Sequence, residues 1–154
     1  MLLKSFAIVV VTPLLVATAA QAHSQKFRKL EIVHPWCIET NDTAKPIIVS
    51  MTIRNAGGRP DKLLGATTPM AAKAELRAAG AAAETEGKAI GAVALGGHGE
   101  VNLKRGGPHI RLSGMKKQLN PYDSFLMTLV FQRAGKVEVE VMVEEASVLE
   151  APDK

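Results

Sequence analysis

Short runs in which apolar and polar residues alternate recur along the chain, and turn-forming residues separate them. The clearest run is 136–143, KVEVEVMV, in which valines alternate with charged residues. This period of two is typical of a strand that buries one face. The other runs that predict strands are 30–34, 47–54, 62–67, 74–77, 100–103, 109–112 and 124–132. Strands of this length at this spacing predict an all-β sandwich or barrel.

The one stretch with helical character is 70–83, which is rich in alanine. Pro69 before it, Gly80 within it and the alternating Glu75 and Arg77 argue against a long helix. A short strand over the second part of this stretch is the interpretation that the alternation favours.

The beginning of the chain has the three parts of a secretory signal peptide. Lys4 gives a positive start, an apolar run covers 6–16, and Ala20-Gln21-Ala22 offers small residues at the positions that a signal peptidase reads. The apolar run is shorter than the ~20 residues of a membrane-spanning helix, which is the alternative interpretation. The sequence therefore predicts cleavage after Ala22 and export to the periplasm.

Cleavage at this point divides the chain into a signal peptide, 1–22, one domain, 23–146, and an acidic tail, 147–154, which we expect to be flexible. No second long apolar run predicts a membrane span in the mature protein. The formal charge of the whole chain is +4, and positive charges are not gathered into one block. Nucleic-acid binding is therefore not predicted.

The single cysteine, Cys37, cannot form a disulfide within the chain. It follows Pro35 and Trp36 in an apolar setting. A free thiol in an oxidising compartment is usually tolerated when it is buried. The sequence therefore predicts a buried, unreactive Cys37, and a ligand for a soft metal ion is the alternative.

No catalytic motif stands out in the sequence. It contains no G-x-S-x-G, no H-E-x-x-H and no glycine-rich phosphate loop. Most carboxylates occupy alternating positions of predicted strands, where a solvated face explains them. The sequence therefore does not predict an enzyme.

Histidines and methionines are the remaining candidates for chemistry, because imidazole and thioether suit copper and thioether favours the cuprous ion. His109 follows Gly-Gly-Pro at the start of a predicted strand, which is a rigid position for a ligand. His98 lies between glycines on a predicted turn, and Met115 is equally consistent with a ligand and with a packing residue. His34, before Pro35, is expected to make a structural hydrogen bond.

His23 becomes the N-terminal residue if cleavage follows Ala22. Its free amine and its ring nitrogen could then chelate one copper ion together. The alternative is a flexible end of the chain that has no such role.

Five segments share the order and spacing of the motifs of one known family. They are 34–36 (HPW), 51–58 (MTIRNAGG), 61–69 (DKLLGATTP), 103–109 (LKRGGPH) and 119–135, which spans the closing strands. With these segments the chain resembles the periplasmic copper chaperones of the PCuAC family, formerly a domain of unknown function. The resemblance covers nearly all of the chain after the predicted signal peptide.

The resemblance implies a cupredoxin-like, Greek-key β-sandwich, in agreement with the strand pattern. It also implies a site of two histidines and two methionines that holds copper as Cu(I). The implied partner is a protein that accepts the ion, either periplasmic or involved in oxidase assembly. We expect a monomer that passes copper on and performs no catalysis.

Only one of the four family ligands is present at the matching positions. His109 matches a histidine, whereas Arg111 stands where the family has methionine and Arg77 where it has the second histidine. Residues 84–92, where the other methionine is expected, contain none. Arginine has no lone pair to offer a metal ion. The alternative function is therefore a metal-free binding module, in which these two arginines and His109 form a cationic patch for an anion or for a partner's carboxylate.

The hypothesis that the chain binds copper requires a remodelled or weakened site. His109 is its predicted anchor. His23, His98 or Met115 is expected to complete a looser set of ligands.

Overall fold

The computed structural model describes residues 24–81 and 87–147. The predicted signal peptide, His23 and residues 148–154 of the predicted tail lie outside the described residues. Within the described part of the chain, no helix is long and apolar enough to cross a membrane.

Ten β-strands make up the described part of the chain, and the prediction of an all-β fold is confirmed. They are β1 (Ser24–Phe27), β2 (Leu30–Ile38), β3 (Ile47–Asn55), β4 (Asp61–Thr67), β5 (Ala71–Arg77), β6 (Val93–Leu95), β7 (Glu100–Leu103), β8 (His109–Met115), β9 (Ser124–Phe131) and β10 (Gly135–Glu144). The alternating valine run near the end of the chain becomes β10.

The strands form one sheet in the order β5-β8-β3-β2-β10-β9-β4-β6, with β1 beside β2 and β7 beside β3. Paired strands are antiparallel except β2 and β10, which run parallel. β4 also packs against β5, which lies at the other end of the order. The sheet therefore curls towards a closed barrel, an arrangement that leaves little unpaired strand edge.

Alternation along the strands explains how the sheet encloses its core. In β10, Val137, Val139, Val141 and Val143 are at most 2% exposed, while the residues between them face outward. Other strands contribute equally buried residues, which are Ile32, Val49, Ile53, Leu63, Ile110, Leu112, Met127 and Leu129. Removal of this apolar surface from water is the main force that stabilises the fold.

β2 extends further than the alternation of its residues predicts. The expected strand ended before Pro35, but β2 continues through Pro35 to Ile38. Its register with β3 shifts between Val33 and Trp36, and His34 within this bulge has a φ of 49°. A bulge accommodates proline because its missing N–H is not required for the ladder.

The alanine-rich stretch contains β5, Ala71–Arg77, so the alternation of its residues predicted its structure better than its alanine content. The sequence did not predict β1 and β6. These strands have four and three residues, which is too short for a period of two to be recognised.

Candidate functional site

His109 is the first residue of β8 and follows an interruption in the ladder along β3. β7 pairs with the second half of β3, where Leu103 lies opposite Met51. β8 pairs with the first half, where Ile110 lies opposite Val49. The residues between β7 and β8 therefore have no place in the ladder, and His109 lies where the chain re-enters the sheet.

The intervening residues, 104–108, form a loop that two backbone hydrogen bonds close. Lys104 N donates to Pro108 O at 2.9 Å, and Gly107 N donates to Lys104 O at 3.0 Å. Gly106 has a φ of 79°, in the left-handed region that glycine adopts without a steric penalty. The loop thus gives the start of β8 a fixed backbone position.

The imidazole ring of His109 is buried and is held by one hydrogen bond. The residue is 1% exposed, and its Nδ1 lies 2.9 Å from the carbonyl oxygen of Gly107. Because a carbonyl oxygen only accepts, Nδ1 carries the donated proton, and the neutral ring keeps its lone pair on Nε2. Nε2 is buried and has no hydrogen-bond partner among the described residues. Many metal-ligating histidines are arranged in this way.

Two arginines and a glutamate share the face of His109. β5 pairs with β8 so that Arg77 lies opposite His109 and Glu75 lies opposite Arg111. Residues directly opposite each other point to the same face, with Cβ atoms about 5 Å apart. The structure therefore brings Arg77, His109 and Arg111 together on one face of the sheet.

The segment 88–90 pairs with the end of β5 and lies next to this face. Ala78 N donates to Lys88 O at 2.9 Å, and Ile90 N donates to Leu76 O at 2.9 Å. The segment contains no histidine and no methionine. It therefore adds backbone contacts beside the site but no side chain that suits copper.

Glu75 lies among cationic side chains on the face that His109 shares. Lys73 Nζ lies 2.8 Å from Glu75 Oε1, and Arg111 Nη1 lies 3.9 Å from Glu75 Oε2. The pKa of Glu75 lies below its ordinary value, mainly because Lys73 donates a hydrogen bond to the carboxylate. The charges of Lys73, Arg77 and Arg111 also favour the ionised form, while partial burial acts in the opposite direction. Glu75 thus interacts with Lys73 on its own strand and with Arg111 on β8.

The other predicted ligands do not lie near His109. Met115 is at the opposite end of β8, about 20 Å away along an extended strand, and is packed in the core at 5% exposed. His98 is exposed on the turn before β7, at the end of β7 that is remote from the loop 104–108 and His109. The third candidate, His23, lies outside the described residues. The structure therefore does not bring His98 or Met115 into one site with His109.

Two predictions about residues of β2 are confirmed. His34 Nε2 donates a hydrogen bond to Glu144 Oε1 at 2.7 Å, which is the expected structural contact. Cys37 is 1% exposed, and burial, together with the charge of Glu144, raises the pKa of its thiol to about 12. The thiol is therefore protonated at neutral pH and lacks the thiolate character of reactive cysteines.

The side chains around His109 fit copper only in part. Across residues 24–81 and 87–147, no three His, Cys, Asp or Glu side chains are grouped so that they could hold a metal ion. His109 offers one imidazole nitrogen, whereas Arg77 and Arg111 offer only hydrogen-bond donors. The arrangement can supply one ligand to a soft cation, and its guanidinium groups suit an anion.

Glu75 and Gly107 contribute to the site although the sequence did not predict their roles. Gly107 acts through its backbone carbonyl, which no sequence pattern identifies. Glu75 belongs to an alternating run of charged residues that indicated only a solvated face. Its position opposite Arg111 follows from the register of β5 on β8, which the sequence alone does not specify.

The chain is similar to a known protein family and to several solved structures. A family model called LpqE-like, which describes lipoproteins, matches residues 30–143. The copper-bound PCuAC domain of PmoF2 is 27% identical over 80% of this chain and 98% of that domain, with a TM-score of 0.67. The apo PCuAC domain of PmoF1 is 28% identical over 80% of this chain and 99% of that domain, with a TM-score of 0.69.

A more distant solved structure shows the same fold. The Cu(I) form of DR1885 from Deinococcus radiodurans is 22% identical over 82% of this chain and 84% of that protein, with a TM-score of 0.63. None of the curated proteins matches the chain significantly. Together the matches confirm the fold that the order of motifs predicted.

Proposed function

Since this chain belongs to the LpqE-like family and has the fold of the PCuAC domains, we propose that it is an extracytoplasmic copper-binding chaperone with a weakened site centred on His109. The observation that carries this proposal is the state of the His109 ring. Its Nδ1 is bound to Gly107, and its Nε2 is buried with no hydrogen-bond partner among the described residues. In this proposal the lone pair coordinates a copper ion that is carried as cargo.

The proposed site is weaker than one with four ligands because the neighbouring side chains oppose a cation. Arg77 and Arg111 lie on the face of His109, and neither can donate an electron pair to a metal. We propose that His23, as the N-terminal residue of the exported chain, is a second source of nitrogen ligands. Weak retention is compatible with a carrier, because the ion has to be released to a partner that binds it more tightly.

Cleavage after Ala22 and export to the periplasm are part of the same proposal. The basic start, the apolar run and the small residues before the predicted cleavage point support it. Mass spectrometry of the exported protein tests this part alone. A mature chain that begins at His23 supports it, and any other first residue removes the N-terminal chelate from the proposal.

Competition between the mature protein and a Cu(I) chelator, under anaerobic conditions, tests the copper site. We expect submicromolar binding that weakens at least about tenfold in the His109→Ala variant, because a ligand that contributes 1.4 kcal/mol accounts for this factor. His98→Ala is the matched control, since His98 is an exposed imidazole away from the site. Absence of measurable Cu(I) binding, or equal effects of the two substitutions, would contradict the proposal.

A second candidate function is supported by the charge around His109. Arg77 lies opposite His109, and Arg111 follows this histidine two residues later on the same strand and face. Such a patch could hold an anion or a carboxylate of a partner protein through charge-assisted hydrogen bonds. NMR titration with acetate separates the two functions. Saturable shifts at Arg77 and Arg111, without Cu(I) binding, favour the metal-free module.

A further inference from the structure

A pocket of about 250 Å³ lies between three turns of the fold. The turns are those between β1 and β2, between β3 and β4, and between β9 and β10. Four of the residues that line the pocket are cationic and exposed, and they are Arg28, Lys29, Arg59 and Arg133. We name this site the basic pocket. It lies beyond the second half of β3, whereas His109 lies beside the first half.

The cationic side chains of the basic pocket have no salt-bridge partner within residues 24–81 and 87–147. Asp61 is the one acidic residue that lines the pocket. The residue is 7% exposed, and its carboxylate accepts backbone hydrogen bonds from Lys62, Arg133 and Ala134 at 2.8 to 3.0 Å. Asp61 therefore holds the turns together and does not pair with a cationic side chain.

Hydrogen bonds fix the backbone at the positions that carry these charges. Ala56 N donates to Lys29 O at 2.8 Å, which joins the first turn to the second. The buried Asn55 donates from Nδ2 to Arg59 O at 2.8 Å. The contact of Arg133 N with Asp61 fixes the third turn. The backbone that carries the positive charges is thus already ordered, so binding costs little backbone entropy there.

Arg28 occupies a position at which its own backbone is strained. It lies in the two-residue turn between β1 and β2 with a φ of 54°, a value that glycine adopts more readily. Its guanidinium lies over the ring of Phe27, 5.8 Å from the ring centre. A non-glycine residue kept in a strained conformation is a feature of functional sites.

The floor of the basic pocket is apolar. Phe27 is half-buried, Leu30 is 4% exposed, and Ala134 is also partly buried. The pocket is therefore a recessed apolar surface with a cationic rim. It is smaller than the roughly 300–1,000 Å³ of pockets for drug-sized ligands.

We propose that the basic pocket binds an acidic peptide segment of a partner protein, in which an apolar side chain flanked by carboxylates enters the recess. The rim supplies guanidinium and ammonium donors for the carboxylates, and the floor receives the apolar side chain. A flat bilayer surface matches this shape less well, because the floor is recessed between turns. The inference does not depend on copper, since it involves none of the residues around His109.

NMR titration of the ¹⁵N-labelled mature protein tests the proposal with the peptide Ac-Glu-Leu-Glu-NH2. We expect saturable shifts at the turns that line the basic pocket and a dissociation constant that rises with salt. The peptide Ac-Gln-Leu-Gln-NH2 is the matched uncharged probe, and its dissociation constant should be at least about tenfold higher. The double variant Arg59→Gln/Arg133→Gln should lose binding, while Lys117→Gln, an exposed cation outside the pocket, should retain it.

Arg28→Gly separates binding from folding. Glycine relieves the strained backbone, so the melting temperature should not fall, while loss of the guanidinium should weaken peptide binding. Equal binding of the two peptides, or unchanged binding by the double variant, would overturn the proposal. Binding of phosphatidylglycerol vesicles through the same residues, without peptide binding, would also overturn it and indicate a membrane surface.

Discussion

The proton on His109 Nδ1 decides what this residue can do. The carbonyl oxygen of Gly107 accepts a hydrogen bond from this N–H, which leaves the lone pair of the imidazole on Nε2. A histidine with the opposite tautomer would direct an N–H into the buried space beside Arg77. The Gly107 carbonyl thus leaves Nε2 able to bind a metal ion or to accept a hydrogen bond, but not to donate one.

The two arginines explain why the proposed copper site is weak, and their replacement should strengthen it. In the double variant Arg77→His/Arg111→Met, an imidazole and a thioether replace two cations on the face of His109. We expect Cu(I) affinity to rise at least about tenfold, measured by chelator competition, because soft ligands are gained and charge repulsion is lost.

Lys73→Met is the control for that variant. It also removes a positive charge on β5 and adds a thioether, but Lys73 lies further along the strand from His109. An equal gain in affinity from Lys73→Met would contradict this prediction, because it would show that replacement of Arg77 and Arg111 specifically is not required.

Cys37 should make the stability of the fold depend on pH in the alkaline range. Burial raises the pKa of its thiol from 9.0 to about 12, so the folded state keeps the proton that the unfolded state loses. The stabilisation is complete below pH 9 and is lost as pH rises towards 12, by about 1.4 kcal/mol per pH unit. We expect urea denaturation to show that the difference between the free energies of unfolding of the wild type and of Cys37→Ala is smaller at pH 10.5 than at pH 7. A difference that is constant with pH would contradict this explanation.

At the scale of elements, the interruption between β7 and β8 positions the site. Met51 lies opposite Leu103 and Val49 lies opposite Ile110, so the chain leaves the ladder between these two pairs. The loop 104–108 places a glycine carbonyl within reach of the ring of His109. The site is therefore a product of the loop and the strand together.

Asp61 joins β4 to the turn between β9 and β10, and its loss should destabilise the fold. Asp61→Ala leaves the N–H groups of Arg133 and Ala134 without their acceptor. We expect the free energy of unfolding, measured with urea, to fall by about 3 kcal/mol, because each charge-assisted hydrogen bond contributes about 1.5–3 kcal/mol. Asp61→Asn keeps one acceptor oxygen and should lose less. Equal stability of Asp61→Ala and the wild type would contradict this role.

At the scale of the whole molecule, the alternation of apolar and polar residues predicted the fold because each strand buries one face. The valines of β10 show this most clearly, since all four point into the core. The same pattern could not identify the three residues of β6 or the passage of β2 through the bulge at Pro35. A strand shorter than two periods and an irregular register leave too little periodic signal.

The candidate site was predictable only where local sequence determines it. Gly-Gly-Pro before His109 indicated a rigid position, and the loop 104–108 has that character. The convergence of Arg77 on His109 depends on the register between β5 and β8, which are more than 30 residues apart in the chain. The separation of Met115 and His98 from His109 likewise depends on strand register and not on local sequence.

The most direct test of the proposed function is NMR of the mature protein with ¹⁵N-labelled histidines, titrated with Cu(I) without oxygen. We expect the Nε2 resonance of His109 to shift as Cu(I) is added, while Nδ1 keeps the proton that it donates to the carbonyl of Gly107. The resonances of His98 should remain in place. If Cu(I) leaves the His109 ring unchanged, or moves only other histidines, the proposed copper site is wrong.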